Sequence, residues 1–182
     1  MSMADPVVEG LPAFYPALFR DAMVRFATGV TIVSGIDDGE PVGFTCQSFV
    51  SLSIDPPYVA VAPARTSTSW PRIARSGSFC VNVLGEHQEE LCRGFAVSGG
   101  AKFAGVDWHP APGTGAPVIE GSLAWVDCRV ELVHDAGDHE LILGRVLDLG
   151  IGEGSPLLFF RSRFATVSHD GGVMHDSSTT EG

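Results

Sequence analysis

Three polar clusters interrupt an otherwise apolar chain, and each has residue types that suit a particular chemistry. Thr45-Cys46-Gln47-Ser48, with Ser51 and Ser53 close behind, is the densest of them inside a strand-like region. Short hydroxyl and amide side chains beside exposed strand N–H groups suit a flat heterocycle with donors and acceptors along one edge, such as the pyrimidine edge of an isoalloxazine. An ordinary Ser/Thr-rich strand end making local hydrogen bonds would use the same residues. Arg65-Thr66-Ser67-Thr68-Ser69 leads into a helix start near Trp70. Helix-terminal N–H groups, hydroxyl donors and a bidentate cation together hold a phosphate. A plain serine N-cap explains Ser67 or Ser69 but does not require Arg65. Gly137-Asp138-His139 falls in a turn between two strong strands. A histidine there could donate to a carboxamide, stabilise developing negative charge, or simply face solvent.

Other chemistries lack their signatures. The remaining histidines, His87, His109, His134, His169 and His175, have no H-x-H or H-x-x-x-H spacing, so no metal site is expected. Cys46, Cys80, Cys92 and Cys128 include no C-x-x-C pair and are expected to be small buried hydrophobes, Cys46 being the one beside a candidate site. Gly150-Ile151-Gly152-Glu153-Gly154 precedes a strand instead of a helix, which removes the context of a dinucleotide fingerprint. There is no G-x-S-x-G nucleophile elbow.

The elements that must position these clusters follow from periodicity. Pro16 opens a helix with Phe19, Met23 and Phe26 on one face and Arg20, Asp21 and Arg25 on the other, stopping at Gly29. Asp37-Asp38-Gly39-Glu40 predicts a hairpin between Val30–Ile36 and Val42–Gln47. Asp55-Pro56-Pro57 must break a ladder, and Tyr58–Ala62 resumes it. A short helix from Trp70 to Gly77, a strand over Phe79–Leu84 and a helix over Glu86–Phe95 come next. Val106–Gly115 has no periodicity and is expected to be a surface loop. From Leu123, alternation places Val126, Cys128 and Val130 on one face and Trp125, Asp127 and Arg129 on the other. Leu141–Leu149 and Leu157–Phe160 complete the strands, and the polar stretch from His169 to Gly182 is expected to fray. Strands without regular strand–helix alternation point to a mainly β fold with short helices, an antiparallel barrel.

The bulk properties set the frame. The 182 residues are 45% hydrophobic and 18% charged, with a mean hydropathy of +0.20, enough for one well-buried core without staples. Eleven Lys and Arg against 22 Asp and Glu give a net charge of -11, with Lys102 the sole lysine. Such a field disfavours nucleic acid and anionic membranes as partners. The acidic N-terminus and the lack of an 18-residue apolar run predict a soluble, cytoplasmic protein with reduced thiols.

Several blocks, in order and spacing, resemble the short flavin reductases of two-component monooxygenases: Phe26-Ala27-Thr28-Gly29-Val30-Thr31, Gly43-Phe44-Thr45-Cys46-Gln47-Ser48-Phe49 and Asp55-Pro56-Pro57. Phe79-Cys80-Val81-Asn82-Val83-Leu84, Lys102-Phe103, Gly137-Asp138-His139 and Pro156-Leu157-Leu158-Phe159-Phe160 continue the likeness. It runs from Leu18 to Thr166. It implies an N-terminal extension over 1–16, a split β-barrel domain over 17–167 and a disordered tail over 168–182.

The resemblance further implies a homodimer that binds FMN or FAD near the subunit interface and hands reduced flavin to a monooxygenase. By position, Thr45, Cys46, Gln47 and Ser48 would line the isoalloxazine, and Ala62, Pro63, Ala64, Arg65, Ser67 and Ser69 the ribityl phosphate. Lys102 and Phe103 would border the same pocket. Phe164 stands where the family commonly has a closing tyrosine, so stacking is kept and the hydroxyl is lost. His139 would meet the nicotinamide of NADH, the default donor. Arg161 and Arg163 are the residues that could pair with the 2′-phosphate of NADPH. In the implied reaction a nicotinamide C4 hydride moves to flavin N5, and the protein aligns the rings and supplies donors to the resulting charge. Two rivals share this barrel: a flavin carrier or sensor, and an enzyme of the pyridoxamine phosphate oxidase type, which calls for more basic residues than this chain offers.

Overall fold

The fold is set by a run of strands that bury both faces. The computed structural model describes residues 15–167 and 173–175. Helix α1 (Tyr15–Met23) precedes β1 (Thr28–Gly29), β2 (Thr31–Asp37), β3 (Glu40–Cys46), β4 (Val50–Ile54) and β5 (Pro57–Val61). Helix α2 (Trp70–Ser76), β6 (Ser78–Val83), a 3-10 turn (Glu86–Gln88) and α3 (Glu89–Ala96) follow. The chain then forms β7 (Trp108–Pro110), β8 (Pro117–Ile119), β9 (Ala124–Ala136), β10 (His139–Ile151), β11 (Leu158–Phe160), β12 (Arg163–Val167) and β13 (Val173–His175). Seven strands pair antiparallel in the order β3-β2-β6-β9-β10-β5-β4, and β1-β11-β12-β13 form a second sheet. The expectation of a mainly β fold, an antiparallel split barrel with short helices, holds.

The β2–β3 hairpin turns on Asp38 and Gly39, both at positive φ (50° and 84°), the backbone of a two-residue turn matched to strand twist. Strand β2 does not alternate between core and solvent, because each face meets apolar cover. Val33 packs with Val61, Ile73, Phe79 and Ile142 inside the barrel, while Ile32 faces Leu84, Phe95 and Ile119 beneath α3. Its β-branched run suits a strand buried on both sides. Asn82, fully buried on β6, donates to the Ser34 hydroxyl and the Pro117 carbonyl and accepts from Ile119 N–H at 2.8 Å. That network pins β8 across β2 and β6.

Three expectations are corrected. The segment from Val106 onward is not purely loop, since β7 pairs with β8 and the turn between them covers one face of β9. Asp127, on the face of β9 opposite Cys128 as alternation places it, is consequently buried, and its carboxylate accepts from Gly113 N–H, Thr114 N–H and the Thr114 hydroxyl. In the stretch expected to fray, Val173–His175 adds to the edge of β12. An edge strand offers unpaired backbone groups whatever the side-chain pattern of its partner. Helix α1 also ends at Met23, leaving Leu18, Phe19, Met23 and Phe26 exposed on the single chain. Among the described residues no helix is long and apolar enough to cross a membrane.

Candidate functional site

The end of β3, the end of β5, the loop into α2 and the tip of the β9–β10 hairpin enclose a cavity of about 450 Å³. Thr45, Cys46, Gln47 and Ser48 form one wall, Ala62, Pro63 and Ala64 the next, and Thr66, Ser67, Thr68 and Ser69 a third. Lys102 and His139 sit at its rim, with Phe95 to Ser98 at the end of α3 beside them. Residues up to 94 positions apart in sequence thus meet because β3 and β5 lie near opposite ends of the same sheet and the β10 tip leans over the β5 end.

Both hydroxyls of the first wall are tied to protein. Thr45 donates to the Cys92 carbonyl at 2.7 Å, fastening β3 to α3. The Ser48 hydroxyl accepts from Ala62 N–H at 2.8 Å and donates to Ala62 C=O at 3.1 Å, closing the β3–β5 corner. The Cys46 thiol lies 3.2 Å from that hydroxyl, and burial pushes its pKa up, so it stays a neutral thiol and not a nucleophile. Gln47 has an exposed side chain and is the member of this wall best placed to meet a ligand edge.

The third wall holds donors. Ser67, not Ser69, caps α2, accepting from Trp70 N–H at 3.1 Å. The Ser67 N–H donates to the Ala64 carbonyl, whereas the N–H groups of Thr66, Thr68 and Ser69 donate to no protein acceptor among the described residues. Lys102 Nζ donates to the carbonyls of Phe95 (2.9 Å) and Gly43 (3.3 Å), and its partial burial lowers its pKa. An ammonium has three protons, so one remains for an anion in the cavity. The chemistry of this donor set fits a flavin phosphate and ring edge.

Four expected site residues lie elsewhere. Arg65 turns away from the cavity: Ala64 pairs with His139 across the strand ends, so alternation sends the next side chain to the opposite side. Its Nε donates to the Gly137 carbonyl at 3.0 Å and its Nη2 to the Asp135 carboxylate. Phe103 is buried edge-to-face with Phe95 (4.9 Å between ring centres) and is a packing residue under α3. Arg163 and Phe164 are on β12 of the second sheet. The Phe164 ring packs on Phe159 at 5.2 Å and lies under the Arg93 guanidinium at 4.7 Å, so it has a partner already and does not close this cavity. Thr66 and Thr68, members of the hydroxyl-rich run but not among the residues assigned by the resemblance, line the cavity, and so does the Phe95–Ser98 segment, which was not expected. The alternating Thr-Ser-Thr-Ser run was a usable signal for the first two, and nothing local marks the last.

A split barrel with an open cavity of this donor set at its strand ends defines a flavin-binding protein class. The chain belongs to the flavin reductase like domain family, whose model matches residues 23–168. It is 50% identical over 159 residues, 87% of this chain and 81% of the relative, to the reductase subunit HsaB of a flavin-dependent monooxygenase from Rhodococcus jostii RHA1. Nitrilotriacetate monooxygenase component B from Mycobacterium thermoresistibile has the same fold, with a TM-score of 0.83 and 40% identity over 93% of this chain and 97% of that one. The NADH:FAD oxidoreductase SgcE6 of Streptomyces globisporus, solved with NAD and FAD fragments, matches with a TM-score of 0.81 and 31% identity, over 91% of this chain and all of that one (100%).

Proposed function

We propose that the chain takes a hydride from NAD(P)H and delivers it to FMN or FAD in this cavity, releasing reduced flavin to a monooxygenase component. The bound flavin supplies the hydride-accepting chemistry. In this reading Gln47 and the β3-end backbone hold the ring edge, and the Thr66, Thr68 and Ser69 N–H groups with Lys102 hold the phosphate. His139 orients the nicotinamide from the open side. Its Nδ1 lies 2.7 Å from Asp138 Oδ1, and this contact holds the Asp138 carboxyl below its ordinary pKa. The shared bond also fixes the imidazole plane, leaving Nε2 as its other polar edge. None of these residues forms a bond to substrate.

The observation that carries this reading is that a histidine on the β10 tip shares one cavity with the ring-edge and phosphate walls. A flavin carrier has no use for it. The apolar side chains left uncovered on α1, and an apolar hollow of about 800 Å³ that runs from Phe19, Met23 and Phe26 to Gln47 and Ser48, support a homodimer that completes the flavin site. Four free cysteines fit a cytoplasmic setting. Mixing the purified protein with NADH and excess FMN, and following the nicotinamide absorbance, tests the activity. Oxidation above the uncatalysed rate is expected. Flavin binding without it would make the chain a carrier.

A further inference from the structure

The tip of the β9–β10 hairpin carries His139, yet the barrel core does not hold that tip in place. Ile142, three residues along β10, is the buried core residue nearest the tip, whereas Leu132, Val133 and Leu141 are all more than 40% exposed. What fixes the tip is a set of contacts from one short segment. Glu140 N–H donates to the Pro63 carbonyl (3.0 Å), Ala64 pairs with His139, and Arg65 N–H donates to the Asp138 carbonyl (2.9 Å). The Arg65 side chain then reaches around the same turn. Nε donates to the Gly137 carbonyl at 3.0 Å, Nη2 pairs with Asp135 on β9, and Nη1 lies 3.8 Å from Glu140 on β10. Glu140 accepts in addition from Trp70 Nε1 at 2.9 Å, at the start of α2. One guanidinium therefore touches the strand before His139, the turn, and the strand after it, and the same carboxylate binds the turn to the helix behind the phosphate wall.

We propose that Arg65 is a positioning residue for His139: its planar fork locks the hairpin tip at the cavity rim and so sets where the imidazole stands relative to bound flavin. This rests on the reading of His139 as the nicotinamide-facing group. The fork matters because two acceptors, the Gly137 carbonyl in the turn and the Asp135 carboxylate on β9, are met by donors in fixed relative geometry with the Glu140 charge nearby, which a lysine cannot reproduce. Misplacing a positioning group by about an ångström costs on the order of a hundredfold in rate at the limit. The remaining backbone bonds from Pro63 and Arg65 would keep the loss here nearer tenfold.

The test compares Arg65→Ala, Arg65→Lys, Asp135→Asn, His139→Ala and the Arg65→Ala/His139→Ala double variant, reading NADH kinetics, FMN affinity by fluorescence quenching, and Tm. Arg65→Ala is expected to raise KM for NADH about tenfold, with kcat within about threefold and FMN affinity within about twofold of the parent. Arg65→Lys should stay closer to Arg65→Ala than to the parent. The double variant should be no worse than His139→Ala alone, since a residue acting only through His139 has nothing left to position. Asp135→Asn changes a side chain that is 88% exposed, so Tm is expected to stay within about 1–2 °C of the parent. A two- to threefold rise in KM is expected from it, which preserves the test should Arg65→Ala fold poorly. FMN affinity falling as far as NADH kinetics would make Arg65 a phosphate ligand and overturn the proposal. Additive losses in the double variant, or normal KM in Arg65→Ala, would also overturn it while leaving His139 in its role. A silent His139→Ala would remove the underlying reading itself, and the positioning role with it.

Discussion

Ser48 and Ala62 are bound to each other twice, the serine hydroxyl accepting from Ala62 N–H and donating to Ala62 C=O. One side chain thereby mimics a strand neighbour for a backbone unit just past the end of β5. Removing it leaves an N–H without its acceptor at the cavity corner. Ser48→Ala is expected to cost about 1 kcal/mol, lowering Tm by roughly 2–4 °C for a chain of this size, and to weaken flavin binding as the corner opens. Thermal unfolding with and without FMN checks both. A Tm equal to the parent's would show that solvent replaces the bond at no cost.

Lys102 offers a sharper probe of the proposed phosphate wall, since its charge lies between two cavities and is already shared by two carbonyls. Lys102→Met keeps the aliphatic stem and drops the ammonium. FMN affinity is expected to fall about tenfold or more, in line with the ~1.5–3 kcal/mol of a charge-assisted contact. Riboflavin, which lacks the phosphate, should bind within about twofold of the parent. Equal losses for both ligands would show that Lys102 only ties the 98–101 loop to β3.

Gly144 lies where β10 passes directly against a core ring. A methyl group built there would stand 2.5 Å from Cζ of Phe79, a fully buried ring that packs edge-on against Trp70. Neither ring has room to retreat. Gly144→Ala should destabilise the fold by about 1–3 kcal/mol through overpacking, measured by urea unfolding. Gly137→Ala serves as a contrast of different origin: no atom lies within 4 Å of the added group, but its φ of +69° strains any side chain.

Asp37 joins the end of β2 to α2 through Arg72 Nε at 2.7 Å and Arg75 Nη2 at 2.6 Å. The hydrogen bond from Arg72, helped by Arg75, holds its carboxyl below the ordinary aspartate pKa. A depressed folded-state pKa means the stabilisation is fully present above the unfolded value of about 3.9 and is lost as pH falls through the lower folded one. Asp37→Asn should therefore lower Tm at pH 7, with the gap between variant and parent closing below about pH 4. A gap that persists unchanged into stronger acid would place the effect in packing instead of charge.

What the sequence by itself determined was local and periodic. Asp38-Gly39 dictated the first hairpin because two successive positive-φ residues suit few other turns. The Thr45–Ser48, Ser67/Ser69 and His139 clusters were legible because polar residues at strand and helix ends have few partners nearby in sequence. The family blocks ordered them into one site, and Lys102 with them.

Tertiary structure decided what covers each face and where each long side chain goes. Alternation put Asp127 opposite the core side of β9 correctly, but only the β7–β8 turn folding across that strand makes the face interior, and its donors come from Gly113 and Thr114. Phe103 and Phe164 are aromatic neighbours of site motifs whose rings found other partners, Phe95 at the end of α3 and Arg93, the latter remote in the chain. Arg65 shows the limit most clearly. Its place in a hydroxyl-rich run suggested a phosphate, while its direction depends on the pairing of Ala64 with His139, a contact 75 residues away in sequence. Periodicity fixes the side of a strand on which a residue stands; which acceptors wait there is settled only when distant segments meet.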